Sequence, residues 1–311
     1  MEADTGRRIH ELFDMVCGTS TGGFIALAIA QRKDLGEVAL EYETMRQSYA
    51  QMSTLETTAK RLAGAPSHST TTVEESCRRL FGRMRMSELP PTPRVFVVCA
   101  AVDTTPLQPY LFRSYELSPE AFAASELLGT ANVYTFEAAR ATTSAPTYYA
   151  PVMIGGARLA DGAILANNPA MCALAEAALL WPGYPIDAVV SVGTGTNQPR
   201  PFPSPSIPSW VRQLIELAMN PYMTHKLVST LLGPGGCYAV QPRRELSDTE
   251  ESDALEREAA GRYFRLDPDG LGDVDISETS VVILSDMLEA GRRYMARQPL
   301  LFAAVARALR S

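Results

Sequence analysis

The chain has 311 residues and 46% of them are hydrophobic, a composition that is typical of a globular protein with a sizeable core. This length allows one large α/β domain or two smaller domains. The formal net charge of −7 at pH 7 argues against a nucleic-acid-binding protein, because such proteins usually carry a basic face.

The sequence shows neither a membrane-spanning nor a secretory pattern. No stretch reaches the roughly 20 apolar residues that cross a bilayer, and the polar N-terminus does not resemble a signal peptide. The five cysteines lack C-x-x-C spacing, which favours reduced, buried thiols over disulfides or metal ligands. We therefore expect an intracellular protein, cytoplasmic or peripheral on a membrane. The cysteines are Cys17, Cys77, Cys99, Cys172 and Cys237.

Predicted strands alternate with predicted helices along the chain. Apolar runs bounded by turn residues predict strands at 12–17, 94–100, 110–113, 187–192 and 261–266. Helical spacing of apolar residues predicts helices at about 23–31, 36–51, 73–82, 135–143, 168–180, 208–232 and 277–308. This alternation indicates an α/β fold with a largely parallel central sheet that is covered by helices on both faces.

We expect a single domain over residues 1–311, with a core formed by about 10–196 and 261–308. The region 197–260 differs, because it opens with a proline-rich stretch and closes with an acidic run, and it is predicted to be a variable insertion. Its apolar helical segment, which begins near Trp210, predicts either a helix packed on the core or a lid or lipid-facing element.

One glycine-flanked serine stands between a predicted strand and a predicted helix. The pentapeptide is Gly18-Thr19-Ser20-Thr21-Gly22. A strand, a tight turn with serine and then a helix is the context of a nucleophile elbow. The small residues at 18 and 22 are expected to let the turn close without a side-chain clash. The alternative interpretation is a structural Gly/Ser turn between two core elements. A proton-accepting partner for Ser20 would distinguish the two interpretations.

A hydrolytic serine needs a base, which in the usual triad is histidine. The three histidines are His10, His68 and His225. None of them follows a predicted strand near a glycine or an acidic partner, so none is a good candidate. Asp161 is a better one, because it precedes Gly162 at a predicted strand end and a buried aspartate can act as a base. An ordinary Asp-Gly turn is the alternative reading of these two residues.

Four segments of the chain form an ordered set of motifs. They are Phe13 to Gly23, Ala138 to Pro151 (AARATTSAPTYYAP), Leu159-Ala160-Asp161-Gly162-Ala163 with Asn167-Asn168-Pro169, and Val192-Gly193-Thr194-Gly195. Together they resemble the patatin-like phospholipases, and in particular the calcium-independent phospholipase A₂ gamma type. The resemblance covers about residues 10–195 and extends loosely to 263–265.

The resemblance implies a three-layer patatin-like fold and a catalytic Ser–Asp dyad. Ser20 would be the nucleophile and Asp161 the proton acceptor, with Gly18, Thr19, Thr21, Gly22, Gly162 and Ala163 as the motif residues around them. The implied activity is a phospholipase A-type lipid acyl hydrolase that needs no metal or cofactor. Its partner would be a phospholipid or other glycerolipid at a membrane surface.

The family also carries a glycine-rich oxyanion loop after a strand that precedes the nucleophile, and residues 1–9 contain no match to it. We therefore expect this chain to lack that loop and the first strand, through truncation rather than loss of the catalytic role. A catalytically impaired lipid-binding or regulatory protein is the alternative. A nucleotide-binding α/β domain is a third reading, but the G-K-[ST] ending of a phosphate loop is missing.

Overall fold

The computed structural model of the chain describes residues 1–47, 70–146, 148–195, 219–233, 262–269 and 280–310, together with the single positions 210, 217 and 271. The strands are β1 (Met15–Thr19), β2 (Arg94–Ala101), β3 (Gln108–Arg113), β4 (Leu128–Thr130), β5 (Val152–Ile154), β6 (Ala157–Asp161), β7 (Val189–Val192) and β8 (Tyr263–Leu266). The helices are α1 (Glu2–Thr5), α2 (Thr21–Ala30), α3 (Leu35–Gln47), α4 (Thr70–Phe81), α5 (Pro119–Ala124), α6 (Thr135–Thr142), α7 (Ala163–Ala166), α8 (Ala170–Leu180), α9 (Tyr222–Leu232), α10 (Val281–Arg297) and α11 (Pro299–Ala308).

The contacts divide the chain into two compact units. One contains residues 13–182 and 206–220, and the other contains 1–12, 183–205 and 221–311. One domain can contain two such compact units, so this division does not test the number of domains. The single domain stays a prediction. Most of the predicted insertion at 197–260 lies outside the described residues.

Strand β2 is the centre of the sheet in the unit 13–182. The strand order is β4-β3-β2-β6-β5, and β1 also pairs with β2. The pairs β1–β2 and β3–β4 are parallel, whereas β2–β3, β2–β6 and β5–β6 are antiparallel. The predicted α/β class with a central sheet is confirmed, and the sheet is mixed in direction because short connections such as 102–107 allow only antiparallel neighbours.

Both faces of β2 are buried, and the side chains alternate between two cores. Val95, Val97 and Cys99 belong to the larger core, which includes residues of α2, α4 and α6. Phe96 and Val98 point to the other face, where residues of α7 and α8 pack against them. Helices therefore cover both sides of the sheet, as expected from an uninterrupted apolar strand.

A buried ion pair joins β3 to α8 on the smaller-core side. Arg113 donates from Nε and Nη2 to the two carboxylate oxygens of Glu176, at 2.6 and 2.7 Å. The Tyr115 hydroxyl donates to the same carboxylate at 2.7 Å. Glu176 is fully buried, so its charge depends on these partners for compensation.

The other unit contains a two-stranded parallel sheet, β7–β8, with α9 packed on β8, and Val228 and Leu232 of α9 are buried. The predicted helix at 277–308 is two helices, because α10 ends at Arg297 and α11 begins at Pro299. Proline has no N–H to continue a helix, but it is well tolerated at the first helical position.

Other boundaries also differ from the prediction. The first strand runs from Met15 to Thr19 rather than over 12–17, because its pairing with Arg94–Val98 of β2 sets its limits. The sequence analysis also missed short elements such as β4, β5 and α5, which have too few residues to show a period.

We expect Glu176→Gln to lower the free energy of unfolding by about 3–5 kcal/mol, because it leaves the buried Arg113 uncompensated. Urea unfolding followed by circular dichroism measures this change. The matched control is Glu74→Gln, which breaks an ion pair with Arg78 whose side chains are 43% and 42% exposed. That change should lower the free energy by less than about 1 kcal/mol, and equal effects in the two variants would contradict the prediction.

Candidate active site

Strands β1 and β6 pair along the same edge of β2, and their C-terminal ends meet there. Strand β3 occupies the other edge of β2 along residues 96–101. Strand β1 pairs in parallel with residues 94–98, and β6 pairs antiparallel with residues 99–101. Thr19 therefore lies opposite Val98, and Asp161 lies opposite the next residue, Cys99. This register brings the C-terminal ends of β1 and β6 together.

Ser20 follows β1 directly and has a strained backbone. Its φ is 56° and its ψ is −124°, which is rare for a residue with a side chain. Such a conformation costs about 1–3 kcal/mol and persists only where the surroundings fix it. The Ser20 carbonyl accepts the amides of Gly23 and Phe24 at 2.9 and 3.2 Å, so it begins α2. The Ser20 amide donates to the Thr142 hydroxyl at 3.0 Å.

Glycines allow the close approaches around this turn. A Cβ added to Gly18 would lie 2.0 Å from the Gly22 carbonyl oxygen, and one added to Gly23 would lie 2.7 Å from Thr142 Cγ2. A Cβ added to Gly22 would meet no atom within 4 Å. The structure thus differs from the expectation for Gly22: the steric need for glycine is at positions 18 and 23.

Asp161 ends β6 in a buried position with 2% exposure. Burial raises the pKa of its carboxyl to about 6, because desolvation disfavours the charged form. Hydrogen bonding with the Ser20 side chain and with the Ala163 amide opposes this rise in pKa. The Ala163 amide donates to Asp161 Oδ1 at 2.8 Å. The Asp161 carboxylate therefore interacts with the Ser20 hydroxyl, and the Ala163 amide at the start of α7 holds it in place.

Gly162 lets the chain turn away from β6 against β2. A Cβ at this position would lie 2.4 Å from the Val98 carbonyl oxygen. The short helix α7 then returns towards β1, where the Thr19 hydroxyl donates to the Ala166 carbonyl at 2.7 Å. The segment that carries Asp161 is in this way bonded to the strand that carries Ser20.

The remaining motif residues have structural contacts. The Thr21 hydroxyl lies 2.8 Å from the Tyr42 hydroxyl of α3, which links the start of α2 to its neighbour. The Asn168 side chain accepts the Ala170 amide at 3.2 Å, which orders the turn just before α8.

The described histidines, His10 and His225, lie in the compact unit that contains residues 1–12 and 221–311, whereas Ser20 and Asp161 lie in the unit 13–182. His225 Nδ1 is 3.3 Å from the Tyr263 hydroxyl, and burial lowers its pKa. His10 is also in that unit, and His68 lies outside the described residues. Among the side chains that the structure describes, no group of three or more His, Cys, Asp or Glu could hold a metal ion.

Part of the apolar segment that begins near Trp210 lies beside α7. The Met219 carbonyl accepts a hydrogen bond from the Asn167 side chain. Several apolar side chains of this segment and of α7 and α8 are exposed: Leu165, Met171, Leu217 and Met219. Helix α9, by contrast, buries Val228 and Leu232 within its own unit. Of the helices that the structure describes, none has the length and apolar character to cross a bilayer.

Sequence reasoning gave no role to Thr142, although it lies in the segment 138–151 that carried part of the resemblance. Its hydroxyl reaches Ser20 across 122 residues of sequence, and no local pattern encodes such a contact. Its place in that segment, near the end of the predicted helix 135–143, is the signal that the sequence offers.

Comparisons with known proteins show which family the chain resembles. The family model described as patatin-like phospholipase matches residues 3–174, more than half of the chain. Phospholipase A I of Arabidopsis thaliana is 30% identical over 295 residues, which cover 75% of this chain and 22% of that protein. Calcium-independent phospholipase A2-gamma of Homo sapiens is 28% identical over 247 residues, which cover 76% of this chain and 31% of that protein. The chain therefore spans less than a third of the length of either relative.

We expect Gly18→Ala to destabilise the fold by at least about 2 kcal/mol, because the new methyl overlaps the Gly22 carbonyl. Gly22→Ala is the matched control, and it should raise the free energy of unfolding by about 0.5–1 kcal/mol, since alanine is the better helix former. Urea unfolding of the two variants measures the difference. Equal stability of the two alanine variants would contradict the described elbow.

Proposed function

The chain belongs to the patatin-like phospholipase family, and we propose that it is a phospholipase A-type lipid acyl hydrolase that uses Ser20 and Asp161 as a dyad. The observation that carries the proposal is the buried Asp161 carboxylate, which interacts with the side chain of a serine in a strained elbow. The phospholipase names of the relatives support glycerolipid esters as the substrate class.

In the proposed reaction, Ser20 Oγ attacks the carbonyl carbon of a glycerolipid ester while Asp161 accepts the hydroxyl proton. The tetrahedral intermediate collapses to an acyl-enzyme, and Asp161 returns the proton to the departing lysolipid oxygen. A water molecule then gives a proton to Asp161 and attacks the acyl carbon. Collapse of this second intermediate releases the fatty acid and restores the Ser20 hydroxyl with the same proton.

The pKa of Asp161 suits this role. A carboxylate with the ordinary pKa of 3.8 is a weak base, whereas a pKa of about 6 gives a stronger base that is still ionised at neutral pH. The oxyanion of each intermediate needs hydrogen-bond donors. The first turn of α2 leaves the Thr21 and Gly22 amides without an intrahelical acceptor, and the residue after the nucleophile supplies such a donor in an elbow.

The first test is labelling of Ser20 by a fluorophosphonate probe. Ser20→Ala should abolish labelling, and Asp161→Asn should lower its rate by about 100-fold or more, because the base is lost. The rate for the wild-type chain should fall about tenfold per pH unit below pH 6, since protonated Asp161 cannot accept a proton. Asp161→Asn should lose this pH dependence.

A folded wild-type chain that is not labelled would contradict the proposed hydrolase. If that chain still bound phospholipid vesicles, and Ser20→Ala bound them equally well, the result would favour a catalytically impaired lipid-binding protein.

We further propose that the exposed apolar residues beside α7 contact the lipid surface during hydrolysis. Leu165 is 38% exposed, and α7 is bonded to the end of β1 through Thr19. Leu165→Asp should reduce hydrolysis of phosphatidylcholine vesicles by about tenfold, because it removes apolar burial at the interface. It should leave hydrolysis of a soluble short-chain ester within about twofold of the wild type.

The control for this prediction is Met84→Asp. Met84 is 41% exposed and contacts Gln31, which lies at the other end of α2 about 16 Å from Ser20. The control should leave both activities unchanged. Equal losses on vesicles from the two variants would argue against a specific lipid-contacting surface at Leu165.

A further inference from the structure

The last residue of α6 and the segment just after it contact both members of the proposed dyad. The Thr142 hydroxyl accepts the amide N–H of Ser20 at 3.0 Å. Two residues later, the Ser144 carbonyl accepts the amide N–H of Asp161 at 3.0 Å. Neither contact involves a reacting atom, so both act on the backbone that presents the reacting side chains.

The orientation of the Thr142 hydroxyl is determined by its partners. An amide N–H can only donate and a carbonyl can only accept, and a hydroxyl has one proton to donate. The Thr142 hydroxyl donates to the Val98 carbonyl at 2.6 Å and must therefore accept from Ser20. Val98 is the residue of β2 that lies opposite Thr19. One fully buried side chain thus links the elbow, the central strand and α6.

Arg140 holds the chain that follows α6. Its Nη1 donates to the Ser144 hydroxyl at 2.6 Å, and its Nη2 donates to the Ala150 carbonyl at 3.2 Å. The guanidinium also lies 5.4 Å from the centroid of the Tyr149 ring. Arg140 is 4% exposed and its bond to the Ser144 hydroxyl is buried, so it fixes the residue whose carbonyl bonds Asp161.

We propose that Thr142 is a positioning residue that holds Ser20 in its strained conformation and sets its place relative to Asp161. This inference rests on the proposed Ser–Asp hydrolase. Thr142 touches no substrate; it acts through the Ser20 amide, and Ser144 does the same for the Asp161 amide. A displacement of about 1 Å in a reacting group can reduce a rate about 100-fold, so the loss of this bond should be visible in turnover.

The hydroxyl and the methyl group of Thr142 have separable roles. The methyl carbon Cγ2 packs over Gly23, where an added Cβ would lie only 2.7 Å away, whereas the hydroxyl alone bonds Ser20 and Val98. Substitutions to Ser, Val and Ala therefore separate the two groups. Serine keeps the hydroxyl without the methyl, valine keeps the shape without the hydroxyl, and alanine keeps neither.

The experiment measures fluorophosphonate labelling of Ser20 over a range of probe concentrations in Thr142→Ser, Thr142→Val and Thr142→Ala. The maximal labelling rate should stay within about threefold of the wild type for serine and fall about 10- to 100-fold for valine and alanine. The probe concentration for half-maximal rate should change little. Rates that do not group by the presence of the hydroxyl would overturn the proposal. If either hydroxyl-free variant does not fold, the other carries the comparison.

Thr143→Val is the matched control, because the partners of the buried Thr143 hydroxyl among the described residues are the Ala139 and Arg140 carbonyls of its own helix. It should leave the labelling rate within about twofold of the wild type. A loss as large as that of Thr142→Val would overturn a specific role for Thr142.

Amide hydrogen exchange of Ser20, followed by NMR, tests the same contact without activity. Exchange should be slow in the wild type and Thr142→Ser, and at least about tenfold faster in Thr142→Val and Thr142→Ala. An unlabelled wild-type chain with this exchange pattern would overturn the hydrolase and support the positioning contact. Equal exchange in all four proteins would overturn the positioning role.

Discussion

The shared edge of β2 is the constraint on which the candidate site depends. Strands β1 and β6 approach along that edge from opposite directions and stop at adjacent positions, Val98 and Cys99. The side chains of β2 alternate between two packed cores, so a slip of one residue would exchange the buried sets and is strongly disfavoured. The packing of one central strand therefore fixes the distance between Ser20 and Asp161, which lie 141 positions apart in sequence.

The strained elbow is stable because its surroundings determine it from several sides. The Ser20 carbonyl begins α2, the Ser20 amide reaches Thr142, and Gly18 and Gly23 leave room that no larger residue could share. Each contact is modest by itself, but together they offset a local conformation that costs about 1–3 kcal/mol. A side chain held in this way keeps one position, which is the usual advantage of rigid supporting contacts around a site.

Two buried carboxylates in the same unit are compensated in different ways. Glu176 has a bidentate arginine partner and a tyrosine, so its charge is balanced and it serves to join α8 to β3. The described groups that lower the pKa of Asp161 are a hydroxyl and an amide, with no cation among them. Burial therefore dominates and raises that pKa to about 6. Because none of these described groups is a cation, the Asp161 carboxyl can gain and lose a proton near neutral pH.

The sequence by itself determined the α/β class and the approximate positions of the long elements, because these depend on local periodicity. Ser20 and Asp161 as site residues follow from short motifs and the family resemblance, and they stay a prediction. It misplaced the limits of β1, joined α10 to α11 and missed strands of three residues, since pairing partners and not propensity set those boundaries. Only the tertiary structure decided that β1 and β6 end face to face, that Asp161 is desolvated and that Thr142 bonds the Ser20 amide. These features arise from contacts between distant segments, and such contacts exist only once the sheet and both of its helical layers have packed.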